Sequence, residues 1–324
     1  PWMAKVVAGG SRGNPSTSSA GILRCASPRL TMMFGSAPRF IASAHGVQVV
    51  VYDEPPTTPG GGAPILFSHA TGFHGRVFAP VAAHLAEHSR TTFDYRGYGD
   101  TLAPANWPLS WDGFGDDALA VARDVVARNG ARPVIGVGHS MGGAGLVMAA
   151  LREPQLFAAL VIFEPIIFPP EMRTRPSGPN PLAAATRRRR RTFTSHDEAI
   201  ANFAAKPPLS SLHPDALAAY VHHGFTQQHD GVHIKCDPEF EAQTYEMGAA
   251  HDTWLHLGEL RTPTWVMAGA HAEYSPAAIA PQIAERIPGC TFVRWADQGH
   301  FGPLDDPARF ASFIRGVTTA LPGD

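Results

Sequence analysis

Five residues, Gly138-His139-Ser140-Met141-Gly142, have the types and spacing that nucleophilic chemistry needs. A serine hydroxyl that attacks a carbonyl must project from a tight strand-to-helix turn. The turn strains the serine backbone, and a side chain two residues before or after would collide, hence Gly138 and Gly142. The flanks agree with this reading. The stretch Pro133 to Leu151, PVIGVGHSMGGAGLVMAAL, opens as a short buried strand and closes as an Ala/Leu/Met/Val helix. The N-terminal end of that helix aims its N–H groups and positive dipole at the serine. The Met141 N–H is then placed to hold an oxyanion.

A serine nucleophile also needs a base within hydrogen-bond reach and an acid to orient that base. The sixteen histidines force a choice. His300 is the candidate base. It lies in Gln298-Gly299-His300-Phe301-Gly302-Pro303, a loop after the last predicted strand. In open parallel sheets, loops at the C-terminal strand ends assemble the site. Two carboxylates qualify as the acid. Glu164 ends the strand after the elbow helix, in Phe163-Glu164-Pro165, where position is most fixed. Glu273 follows the strand Pro263 to Ala268 and is the alternative. Glu164 is preferred; either could instead be an ordinary solvated carboxylate. The second oxyanion donor should come from the turn after the strand Pro64 to Ser68. Thr71 N–H is the choice, with Gly72 letting the chain turn closely; His69 reads as a side chain stitching two loops together.

These groups need strands and helices to hold them. Arg39 to Ala44 and Val47 to Tyr52 read as a hairpin around His45-Gly46. Further strands are expected at Pro64 to Ser68, Thr91 to Asp94, the elbow strand, Leu156 to Phe163, Pro263 to Ala268 and Thr291 to Trp295. Helices are expected at Val77 to Glu87, from Asp112 to about Asn129, after the elbow, at Pro276 to Arg286 and from Pro307 to about Thr319. Alternating strands and helices predict a mostly parallel sheet covered on both faces, an α/β fold. Residues 166–260, with clustered prolines and short helices, form an insertion between two sheet strands.

The 324 residues suffice for one large domain with an insertion. A net charge of −2 gives no reason to expect nucleic acid or an anionic membrane. No apolar run reaches the roughly 18 residues of a membrane span. Cys25, Cys236 and Cys290 form no CxxC pair and read as free thiols of a reducing cytoplasm. Residues 1–32, with the Gly/Ser/Asn-rich stretch GGSRGNPSTSSA, read as a linker-like extension outside the fold.

Taken together, the chain resembles an α/β-hydrolase with an inserted helical cap over about residues 39–320. The matching motifs are SHATGFHG (68–75), DYRGYGDT (94–101), GHSMGG (138–143) and DQGHFGP (297–303). The resemblance implies a core of residues 33–165 and 261–324, a cap at 166–260, and a serine hydrolase centre. Two departures matter. Members commonly carry the acid as aspartate three residues after the glycine of the strand-end loop; here that position is Ala272, and Glu273 stands one later. Some related haloalkane dehalogenases place a glutamate where Glu164 stands. Those enzymes and the epoxide hydrolases use an aspartate nucleophile, and Ser140 argues against both activities.

The expected reaction is hydrolysis of carboxylic esters of small to medium apolar substrates through an acyl-enzyme, by a cytoplasmic monomer or homodimer without cofactor. Alternatives are carbon–carbon bond or lactone hydrolysis, cofactor-free perhydrolysis, or a silent ligand-binding protein on the same fold. The run Arg187 to Arg191 reads as a solvated cap helix rather than an anion site. Of the cap aromatics Phe168, Phe193, Phe203, Phe225, Tyr245 and Trp254, some should line the pocket and most should form cap core. His222, His223 and His229 lack a matching carboxylate set, so no metal is expected.

Overall fold

Apolar runs bounded by Gly and Pro become the strands of one sheet. The computed structural model describes residues 34–35, 37–58, 61–102, 109–172, 180–248, 250–273 and 275–321. The linker-like reading of residues 1–32 lies outside the described residues. The large sheet contains β1 (Arg39–Ala42), β2 (Gln48–Glu54), β3 (Gly62–Ser68), β4 (His88–Asp94), β5 (Val134–His139) and β6 (Phe157–Phe163). β10 (Thr264–Ala268) and β11 (Thr291–Arg294) complete it, in the order β1-β2-β4-β3-β5-β6-β10-β11. β1 and β2 pair antiparallel, as do β2 and β4; the remaining neighbours are parallel.

Side-chain alternation divides the core into two layers. Leu66, Leu160 and Ile162 face one side; Ile65, Phe67, Val161 and Phe163 face the other. β5 is buried along its whole length, as a strand covered on both faces must be. The first face is covered by α2 (Trp111–Arg128), by α3 (Met141–Arg152) and by α9 (Pro276–Arg286). The second is covered by α1 (Ala79–Ala83) and α11 (Pro307–Ala320).

Between β6 and β10 the chain leaves the sheet. It forms α4 (Pro181–Arg187), α5 (His196–Ala204), α6 (Pro214–Gly224), α7 (Pro238–Met247) and α8 (Thr253–His256). It also forms a small antiparallel sheet of β7 (Thr192–Phe193), β8 (Phe225–Gln228) and β9 (Gly231–Ile234), in the order β7-β9-β8. The helical cap read from the sequence is therefore a mixed one. Strands of two to four residues are too short to show an alternating pattern. Bonds that tie it to the core include Lys235 Nζ to Asp100 Oδ1 at 2.6 Å, Trp111 Nε1 to the Gly248 carbonyl at 2.8 Å, Tyr98 Oη to Thr244 Oγ1 at 2.9 Å and His213 N–H to the Leu304 carbonyl at 3.0 Å.

Several element boundaries differ from the sequence reading. The helix expected over Val77 to Glu87 is a 3-10 turn, Gly75–Phe78, followed by the short α1. β4 begins at His88 rather than Thr91, so the chain must turn into the sheet before a longer helix can finish. The last sheet-edge strand stops at Arg294, one residue short of Trp295, whose N–H instead bonds the Ala268 carbonyl at 2.7 Å.

Candidate active site

Ser140 stands between the end of β5 and the start of α3 with φ 56° and ψ −117°. A positive φ is costly for a residue with a Cβ. Neighbouring bonds hold it there: Ser140 N–H donates to the Phe163 carbonyl at 2.9 Å, and its own carbonyl accepts from Ala144 and Ile166 N–H, both at 3.2 Å. The two motif glycines are close approaches. A Cβ on Gly138 would lie 2.7 Å from Gly143 Cα, and one on Gly142 would collide with the Ser68 carbonyl. The second contact packs the start of α3 against the end of β3. Met141, at the first turn of α3, has an N–H without a partner inside the helix by its position.

The loop that carries Thr71 is pinned from below. Gly72 takes φ +81°, and Phe73 N–H closes the turn onto the Ala70 carbonyl at 3.1 Å. His69 is buried, accepts from Tyr95 N–H at Nε2 (3.1 Å) and donates from Nδ1 to the Ala70 carbonyl (2.8 Å). Burial lowers its pKa to about 4, so the ring is neutral and its tautomer fixed. His69 thus stitches the β3 and β4 loops. Asp94 does the same one turn later, accepting from Gly75 N–H and Asp100 N–H, each at 2.8 Å.

His300 lies in the loop between β11 and α10 (Gly302–Asp305). Its Nδ1–H donates to Glu164 Oε2 at 2.6 Å. This leaves Nε2 with the lone pair a general base requires. Glu164 is 1% exposed, and its other oxygen accepts from Gly269 N–H at 2.8 Å. Its N–H bonds the Met267 carbonyl at 2.8 Å, so the residue sits directly off the end of β6 against β10. Glu273 is exposed and has no hydrogen bond or ion pair to any described residue. Of the two candidate acids, the fold brings Glu164 to the histidine.

Ser140, His300 and Thr71 open on one cavity of about 190 Å³. Its core wall includes Phe73, Trp111 and Phe301; its cap wall includes Phe168, Leu182, Thr244 and Tyr245. No Asp, Glu, Lys or Arg lines it among the described residues. Of the cap aromatics singled out in the sequence, Phe168 and Tyr245 reach this wall. Phe193 packs on Phe203 and Phe225 at 5.6 and 5.8 Å, and Trp254 lies under Arg286 at 4.5 Å.

The arginine run is not simply solvated. Arg187 bonds Glu239 and Glu246, Arg190 bonds Glu198 at 2.8 Å, and Arg189 reaches inward to the buried Glu241. One matching acid, Glu198, lies nearby on α5, but Glu239, Glu241 and Glu246 lie far along the chain on α7, which is why the run reads as solvated in sequence. His222 lies beside His196 and His223 beside His74, with ring centroids 5.1 and 6.2 Å apart, while His229 is 94% exposed. No group of three or more potential metal ligands gathers among the described residues. One contact went unread in the sequence: His139, beside the serine, is buried and donates from Nε2 to the His300 carbonyl at 2.8 Å.

Residues 65–313 match the family described as alpha/beta hydrolase family. A lipase, LipV, of Mycobacterium tuberculosis is 32% identical over 109 residues, 34% of this chain and 40% of that protein. The match therefore spans about two fifths of that relative's length. Among solved structures, E-2-(acetamidomethylene)succinate hydrolase superposes with a TM-score of 0.68 at 20% identity, over 88% of this chain and 99% of its own. The peroxisomal alpha-beta-hydrolase of Saccharomyces cerevisiae gives 0.69 at 18% identity, over 89% and 87%. At these identities the two structures show the fold alone. No helix among the described residues is long and apolar enough to cross a membrane.

Proposed function

The chain belongs to the alpha/beta hydrolase family, and from that premise we propose that it is a serine esterase acting on small to medium apolar substrates. The observation that carries the reading is the 2.6 Å bond from His300 Nδ1 to buried Glu164, with His300 and Ser140 opening on one cavity that no Asp, Glu, Lys or Arg lines among the described residues. An uncharged, aromatic-rich wall favours a neutral acyl or alcohol group over a carboxylate-bearing one.

Ester cleavage then proceeds in two acyl transfers. His300 Nε2 takes the Ser140 proton as Oγ bonds the ester carbonyl carbon, and the carbonyl π pair moves onto oxygen. Met141 and Thr71 N–H hold that oxyanion, each donor contributing about 3 kcal/mol to lowering the barrier. The C–O bond to the alcohol breaks as His300 returns the proton to it. A water, deprotonated by His300, attacks the acyl-serine, and collapse releases the acid and restores Ser140. Glu164 holds the imidazole in the Nδ1–H tautomer throughout and stabilises the imidazolium.

Hydrolysis of p-nitrophenyl esters of graded acyl length, for the parent and Ser140→Ala, tests the proposal. Parent turnover that disappears in a folded Ser140→Ala protein supports it, and the chain-length optimum sizes the cavity. No ester turnover in the parent overturns it.

A further inference from the structure

We propose that His139 is a positioning residue that sets the height of the catalytic base through its bond to the His300 backbone. The inference rests on the reading of Ser140 and His300 as nucleophile and base. His139 is the last residue of β5, a strand buried along its whole length, and its backbone pairs with Phe163 of β6. Its side chain is 1% exposed, and its ring centroid is 4.8 Å from that of His300 and 6.0 Å from those of Phe163 and Phe301. A carbonyl only accepts, so the 2.8 Å contact makes Nε2 the donor and fixes one tautomer.

A buried histidine satisfied by a carbonyl is often no more than a satisfied core residue. Here the carbonyl belongs to the base, and the donor belongs to the residue preceding the nucleophile. The base loop is also held by Ala270 N–H on the Gln298 carbonyl at 2.7 Å, by Gly302 N–H on the Gly299 carbonyl at 3.1 Å, by Arg309 on Asp297 at 2.7 Å and through the His300 ring by Glu164, whereas the His139 bond acts on the carbonyl of His300 itself. The Glu164 bond fixes the ring tautomer and leaves the ring free to pivot about Nδ1. The His139 bond fixes the backbone from which the ring hangs. Together they determine where Nε2 meets Ser140 Oγ, and they reference that position to the same strand that ends in the serine. A shift of about 1 Å between reacting groups costs on the order of 10²-fold in rate.

The test separates hydrogen bonding from ring packing. His139→Phe keeps a ring of similar size and removes the donor. His139→Gln removes the ring and keeps an amide N–H at about the reach of Nε2. His139→Leu is a second replacement without a donor. All are assayed with the ester that the parent turns over best, folding being checked by near-UV circular dichroism and thermal unfolding. The expected result is kcat lowered about 10- to 100-fold in the Phe and Leu variants with KM within about threefold, and most of kcat restored in His139→Gln. Phe or Leu variants as active as the parent overturn the proposal. So does a loss of kcat in folded His139→Gln equal to that in Phe, which would assign the ring shape rather than the bond. A series in which no donor-less variant folds would also overturn it, making His139 a stability residue. Loss of all ester turnover in the parent is a separate outcome and counts against the esterase reading alone.

Discussion

Glu164 and Glu273 are the same chemical group, and only their backbone position distinguishes them. Glu164 leaves β6 at φ 45°, a left-handed conformation that turns its carboxylate across the strand ends toward Gly269 and His300. Glu273 stands exposed a few residues past β10. Glu164→Gln should lower kcat by about 10³- to 10⁴-fold, the cost of losing tautomer control in such triads. Glu273→Gln should stay within about twofold of the parent. Steady-state kinetics on one ester decides this; a collapse in Glu273→Gln with an active Glu164→Gln would invert the assignment. Ser140 is readable in sequence because its motif has a steric reason behind it, and His300 because its loop follows the last predicted strand of the sheet. The acid is not, because two strand ends supply a glutamate, and the choice depends on a backbone angle that sequence does not encode locally. His139 was missed for a similar reason: its partner is a carbonyl 161 residues away.

At the scale of elements, the site depends on how closely α3 and β3 approach. Gly142 is the contact point, since any Cβ there meets the Ser68 and His69 carbonyls. Both are backbone and cannot step aside cheaply. Gly142→Ala should therefore lower the thermal unfolding midpoint and cut kcat by pushing Met141 N–H away from the Thr71 loop. An alanine at Gly130, where a Cβ meets nothing within 4 Å but φ is +68°, carries only the backbone strain. The Gly130→Ala variant should keep parent kcat with a drop in midpoint of the size that left-handed strain alone gives, about 1 kcal/mol. Equal kcat in parent and Gly142→Ala would contradict the packing account. The long elements were readable because burial on two faces leaves a continuous apolar run, as in β5 and β6, and burial on one helix face leaves a 3.6-residue period, as in α2 and α11. The small cap sheet left no period. The 3-10 turn before α1 packs Gly75 tightly on Thr92 and Phe93 of β4, a contact between segments that leaves no local pattern.

The whole molecule buries several histidines in the neutral form. Burial lowers the pKa of His69 to about 4 and of His223 to about 3, and it holds His74 and His139 well below the usual imidazole value. In the unfolded chain each titrates near 6.5. Between that value and the folded one the unfolded state binds the extra proton, so stability falls as pH falls. Across the full window His69 alone subtracts roughly 3 kcal/mol. Asp94, Glu241 and Asp305, raised by burial, act in the opposite sense, but they are fewer than the four histidines. Urea unfolding midpoints are expected to drop between pH 7 and pH 5. A flat profile would mean that these rings are solvated or paired differently.

The central claim is that Ser140 is the nucleophile of a working hydrolytic centre. Reaction with a fluorophosphonate, followed by peptide mass mapping and residual ester turnover, tests it most directly. The expected result is one phosphonyl group per chain, on the peptide carrying Ser140, with ester hydrolysis lost in proportion and no labelling of Ser140→Ala. Labelling elsewhere, or a fully labelled protein that still turns over ester, would contradict it.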